Sequence, residues 1–212
     1  MSPVSTASTP FTLSPESTID DYLETNKKWS QSMTKIHPTL FTHYNGEGQT
    51  PHTLFIGCGD SRYNEDCFGV VPGEVFSLKI IGNVINPNDG VSMATLEFAI
   101  NVLKIHKVVM VGHTDCGAIQ TCMDKSKRDS LPHVGCEHLY HYLSDLNELC
   151  ELEKDNLTKT KNRKEQVKHM GIQNVKRQVG KLRRLGVVSN NKEVEVYGLL
   201  YNVDSGLLEK VC

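Results

Sequence analysis

Lys107-Val108-Val109-Met110-Val111-Gly112, followed at once by His113-Thr114-Asp115-Cys116-Gly117, is the stretch whose reading decides the fold. Its apolar run does not alternate with polar residues, so both faces of the strand are covered, as in a parallel sheet with helices on each side. A second run of the same kind, His52 to Gly57 (HTLFIG), stops at Cys58-Gly59-Asp60-Ser61-Arg62. Between and after them the pattern predicts a strand over Val75–Ile81, opened by the Pro72-Gly73 turn, and another over Glu193–Val203. Asp204-Ser205-Gly206 then turns the chain into a short edge piece.

The segments separating these runs carry a helical period. Met93, Leu96, Ala99 and Ile100 place a helix over Ser92 to about Leu103; further helices fall over Glu137–Leu152 and about Lys164–Leu185, the last closed by Gly186 as a left-handed cap. Before the first strand, Tyr22, Leu23, Trp29 and Met33 form the apolar stripe of a helix from about Asp20 to Met33, capped by Ser17 or Thr18 and ended by His37-Pro38. Residues 1–18 are rich in Ser, Thr and Pro and read as a flexible arm; residues 19–212 read as a single domain. The fold class is α/β: a mostly parallel central sheet flanked by helices, with an N-terminal helical arm and an edge strand from the C-terminus.

Bulk composition narrows the function classes. The chain has 212 residues, 38% hydrophobic and 23% charged, with a net charge of −2, which offers no general attraction to nucleic acid or to an anionic membrane. No apolar run approaches the roughly 20 residues of a spanning helix. The first basic residue is Lys27, so no targeting signal is legible and the cytoplasm is the expected compartment. Seven cysteines, an odd number in a chain of this length, point to reduced thiols or metal ligands rather than a disulfide framework. Asn156-Leu157-Thr158 matches a glycosylation acceptor by chance.

In open α/β sheets, ligands sit beyond the carboxyl ends of the strands, and both chemically loaded segments lie there. Cys58, His113 and Cys116 offer two thiolates and one imidazole, good zinc ligands that leave a fourth tetrahedral position open, as in catalytic sites. Taken singly, Cys58 reads equally well as a small buried hydrophobe and His113 as a histidine satisfied by a backbone carbonyl. Asp60 stands two residues after a candidate ligand, and Arg62 two further on can hold its carboxylate in a bidentate pair. Gly117 is placed to open a helix whose backbone N–H can face an anion. The basic residues of the late helix, among them Lys164, Lys168, Arg177 and Lys181, lie opposite an apolar stripe of Val167, Val175, Val179, Leu182 and Leu185 and read as a solvated face. Cys67, Cys122, Cys136, Cys150 and Cys212 show no ligand spacing to one another.

Five blocks in order, Cys58–Arg62, Pro72–Phe76, Ser92–Ala99, His113–Gly117 and Tyr197–Leu208, resemble the β-class carbonic anhydrases, most closely fungal members. The resemblance implies zinc on Cys58, His113 and Cys116, one ion per chain, with Asp60 and Arg62 as a catalytic dyad and Asp60 a fourth ligand in a closed state. It implies reversible hydration of CO2 to bicarbonate and a proton by attack of zinc-bound hydroxide, and a homodimer or a tetramer built from dimers. Phe98 matches an aromatic position that walls the substrate pocket, or else packs in the core. Four positions depart from the pattern: Lys79-Ile80 replaces an Arg-Asn pair, Val71 a glutamine, and Ala118 a second glycine. Two other readings use the same residues: a non-catalytic zinc-stabilised binding or CO2/bicarbonate-sensing protein, and a thiol redox protein in which Cys58 and Cys116 pair. The absence of a C-x-x-C motif weighs against the last.

Overall fold

The structure is a computed structural model and describes residues 10–159 and 162–212. The chain divides after Gln49 into two compact units. In the first, helix α1 (Ile19–Ile36) starts at Thr18, whose side chain accepts from the Asp21 N–H while Asp21 accepts from the Thr18 N–H, a reciprocal capping box. It ends at His37, as the following proline dictates. The helix buries none of its residues; Trp29 meets Phe41 of a following π-helical turn (Leu40–Asn45) at 5.8 Å. Of the arm read over residues 1–18, residues 1–9 lie outside the described residues; the remainder holds a turn closed by the Ser17 N–H on Ser14 O.

The second unit carries the sheet. Strands β1 (Thr53–Cys58) and β2 (Val75–Ile80) pair in parallel, helix α2 (Gly90–Glu97) crosses over, and β3 (Lys107–His113) returns beside β1. Short helices follow: α3 (Gly117–Met123), α4 (Lys125–Ser130), α5 (Glu137–Tyr142), α6 (Ser144–Leu152) and α7 (Lys154–Leu157). The long helix α8 (Arg163–Arg184) and the single turn α9 (Gly186–Ser189) lead to β4 (Glu195–Asn202) and the antiparallel edge strand β5 (Leu207–Lys210). The strand order is β2-β1-β3-β4-β5, parallel through β4. Every residue of β1 and all but the first of β3 are buried, which is why their sequences do not alternate.

Two apolar layers cover the sheet. On one side Leu54, Ile56, Val108 and Met110 pack with Leu96 and Ile100 of the crossover and with Val175, Val179 and Leu182 of α8. On the other, Phe55, Val109 and Val111 meet Ile119, Leu146 and Met170. Helix α8 comes close because Gly112 and Gly198 present no side chain to it: a Cβ on either would stand 2.6 or 2.7 Å from a Val175 methyl. The polar side of α8 is tied down rather than bare: Lys164 pairs with Asp204, Lys168 with Glu209, and Arg177 and Lys181 with Asp145.

Helix α1 runs three residues past the expected Met33 and β4 starts two residues after the expected Glu193; three other differences have a clear physical cause. The helix read over Glu137–Leu152 is broken at Leu143 (ψ 3°), which drops its side chain into the core between α5 and α6. Gly186 is not a left-handed cap. Helix α8 ends because Leu185 turns extended (φ −66°, ψ 135°) to pack against the core, and Gly186 opens the next turn. The crossover helix begins earlier, capped by Asp89 on the Val91 and Ser92 N–H groups, and finishes as a π-helical turn (Phe98–Val102).

Candidate metal centre

Adjacent strands β1 and β3 deliver the donors. Cys58 is the last residue of β1 and His113 the last of β3; Cys116 follows one turn later. One ligand atom from each lies within 4.8 Å of the others, and all three residues are buried. The cavity this encloses suits an ion bound at about 2.3 Å by sulfur and about 2.0–2.1 Å by nitrogen.

The histidine supplies the sharpest test of that fit. His113 Nδ1 stands 2.9 Å from the Thr114 carbonyl, which fixes the proton there and leaves Nε2 as a lone pair. Nε2 is buried without a hydrogen-bond partner, one of two such side-chain atoms among the described residues. Burying an unmatched acceptor is costly unless something outside the protein meets it. The sulfurs tell the same story. The Cys58 thiol has its pKa pulled down, chiefly by a hydrogen bond from Cys116. That hydrogen bond and burial push Cys116 up. Without a cation only one of the pair readily ionises; a divalent ion would stabilise both thiolates. Backbone groups are already aimed at them: the Gly82 N–H donates to Cys58 Sγ at 3.2 Å, and the Ile119 and Ala118 N–H groups point at the Cys116 sulfur. The first turn of α3 therefore serves a ligand's charge.

Asp60 and Arg62 stand beside this cluster in the arrangement their spacing suggested. Arg62 donates from Nε to Asp60 Oδ1 (3.0 Å) and from Nη2 to Oδ2 (2.8 Å), and its own backbone N–H adds a third bond to Oδ1 (2.9 Å). The guanidinium bonds hold the Asp60 carboxyl at about 2, well ionised. Asp60 Oδ2 lies 3.8 Å from His113 Nε2, too far to bond it, so the carboxylate stands beside the donor cluster.

Several contributors were not singled out by the sequence reading. Tyr63 is buried; its hydroxyl accepts from the Cys58 N–H at 2.6 Å and donates to Val111 O at 2.9 Å, bolting the β1 ligand to β3, while its ring stacks on Tyr201. Lys79, which seemed only a loss of arginine, donates to the carbonyls of Asp60 (3.1 Å) and Tyr63 (2.7 Å) and so closes the turn around the dyad. Asp115 binds the far side of Arg62. A short polar residue between two chemically loaded ones is the only sequence signal it gave. Phe98 is 42% exposed and packs its ring on Phe76 at 5.9 Å, so it is not a core residue. Gly117 opens α3 as its spacing implied. All seven cysteines are free thiols.

The carbonic anhydrase family model matches residues 53–208. The chain is 49% identical to a carbonic anhydrase of Saccharomyces cerevisiae over 95% of this chain and 92% of that protein. It superposes on the β-carbonic anhydrase CafA of Aspergillus fumigatus with a TM-score of 0.81 at 33% identity, covering 91% and 89% of the two chains. Two tetrameric β-carbonic anhydrases of Sordaria macrospora are represented by a neighbour at TM-score 0.82 and 25% identity, over 91% and 96%. Kinship along nearly the whole length, a shared backbone and a donor cluster at the strand ends agree: the chain belongs to the β-class carbonic anhydrases, on their fungal side.

Proposed function

We propose that Cys58, His113 and Cys116 hold one zinc ion and that the chain converts CO2 and water to bicarbonate and a proton, reversibly. The single observation that carries this reading is the buried, unpartnered His113 Nε2 beside two sulfurs in a carbonic anhydrase chain. Sulfur donors with one imidazole favour zinc over the hard oxygen-seeking cations. Bound there, zinc supplies the Lewis acidity that makes water a nucleophile near neutral pH.

The chain's own residues do the rest. Asp60, ionised and acceptor-only, takes a hydrogen bond from the attacking water species and so turns its lone pair toward CO2. Arg62 holds that carboxylate by two bonds; released from Arg62, Asp60 would be free to serve as a fourth ligand and close the site. A cavity of about 510 Å3 lined by Ile80, Ile81, Leu139 and Tyr142 lies against Gly59, next to the first ligand. Gly117 and Phe98 are assigned as substrate contacts. An Arg62 that restrains a would-be ligand has no use in a purely structural or sensing site, which favours catalysis.

A homodimer, or a tetramer of dimers, is the proposed assembly, supported by the exposure of Ile19, Tyr22, Leu23, Trp29 and Ile36 along α1. The cytoplasm is the proposed compartment, supported by five further cysteines that stand as free thiols. No helix among the described residues is long and apolar enough to cross a membrane. Elemental analysis with stopped-flow CO2 hydration on wild type, Cys58→Ser and Asp60→Asn tests the assignment. Near one zinc per chain and activity lost in both variants is the expected result; wild-type protein with no zinc, or no acceleration above buffer, refutes it.

A further inference from the structure

Asp115 sits between His113 and Cys116 with φ 59°, a left-handed conformation that side-chain-bearing residues seldom adopt. From there its carboxylate meets Arg62. Arg62 Nη1 donates to Asp115 Oδ2 at 2.8 Å and Nη2 to the Asp115 carbonyl at 3.1 Å. Gln120 fixes Asp115 in turn, its Nε2 donating to Oδ1 at 2.8 Å and to the same carbonyl at 3.2 Å. The opposite edge of the guanidinium, Nε and Nη2, is the one that grips Asp60.

Arg62 is therefore held between two carboxylates, one on each loop that carries metal donors. A planar guanidinium gripped along one edge alone can hinge about that edge; gripped on both, it has one orientation. Arg62 and Asp115 side chains are 43% and 49% exposed, so water competes for either contact singly and the second anchor decides the geometry.

We propose that Asp115 is a positioning residue for the reaction. It locks Arg62 so that the Nε–Nη2 edge stays on Asp60 and the carboxylate stays off the open corner, with Gln120 as its support. This rests on the assignment of function above, since an Asp60 kept off the corner matters only to a site that must admit water.

Asp115→Gly removes the carboxylate while accepting the same backbone conformation, and Asp115→Asn keeps one acceptor oxygen without the charge. Two readouts are needed: kcat and KM for CO2 hydration, and water exchange of the Arg62 Nε–H by NMR, the signal identified by its disappearance in Arg62→Lys. In Asp115→Gly the Arg62 proton should exchange at least about tenfold faster and kcat should fall about five- to tenfold, with KM and the thermal midpoint little changed. Asp115→Asn and Gln120→Ala should fall between that variant and wild type. Arg62 exchange unchanged in Asp115→Gly overturns the proposal, and so does faster exchange with wild-type kcat. If the glycine variant does not fold, Asp115→Asn decides by the same two measurements. Inactive wild type sinks the assignment of function instead, while the exchange measurement still reports whether Asp115 holds Arg62.

Discussion

Replacing Tyr63 with phenylalanine deletes one oxygen atom and, with it, two buried hydrogen bonds. The Cys58 N–H loses its 2.6 Å acceptor and the Val111 carbonyl its 2.9 Å donor, while the ring keeps its place against Tyr201 and Phe55. A buried donor left unmatched costs about 1–3 kcal/mol, and the hydrogen bond lost at the carbonyl about 0.5–1.5 kcal/mol. The sum is about 1.5–4.5 kcal/mol, equivalent to a fall in Tm of about 3–18 °C for a chain of this size. Urea unfolding of metal-free wild type and Tyr63→Phe at matched protein concentration measures it. Because the bond joins β1 to β3 at the ligand, metal retention against a chelator should fall as well. A loss of stability below about 0.5 kcal/mol would refute the claim that this hydroxyl bolts the two strands.

Three further outcomes follow from the same geometry. The Asp60 carboxyl lies at about 2 in the folded chain, below its ordinary value of 3.8. Its stabilising contribution is thus complete above about pH 4 and fades as pH falls toward 2. Arg62→Met should destabilise metal-free protein by about 1 kcal/mol at neutral pH, after discounting for solvent screening, with the gap from wild type closing between pH 4 and 2; a gap that widens there contradicts the pairing. Lys79→Met frees the Asp60 and Tyr63 carbonyls at a cost of about 1 kcal/mol, with Lys79→Arg recovering part of it; equal urea midpoints for all three would show that the lysine holds nothing. Gly112→Ala drives a Cβ to 2.6 Å from Val175, so α8 must shift at a cost of about 1–3 kcal/mol, and bound metal should fall because His113 is the next residue. Wild-type metal content and stability in that variant would mean α8 is free to move.

The sheet was legible because burial leaves its mark on composition: β1 and β3 are covered on both faces and therefore cannot alternate. The clustering of Cys58, His113 and Cys116 was legible for a geometric reason, as two loops leaving neighbouring parallel strands must open at the same end. Helix ends were less so. Leu143 interrupts a good helical period because its side chain is needed in the core, and Leu185 ends α8 for a similar reason, so tertiary packing overrode local pattern at both. Contacts made by backbone groups left no trace in sequence. That Gly82 would donate to a cysteine sulfur, or that Lys79 would bind two carbonyls, depends on where the chain turns. Asp115 escaped notice because its partner stands 53 positions away.

The placement of the donors on two different strands also sets a timetable for biogenesis. Cys58 leaves the ribosome ahead of Cys116 by 58 positions, counted from 58 to 116. At usual elongation rates of about 5–20 residues per second, that is about 3–12 s during which the first candidate donor lacks the second sulfur. An ion held by all three candidate donors could be taken up only after β3 docks against β1, and until then the first thiol depends on the reducing power of its surroundings.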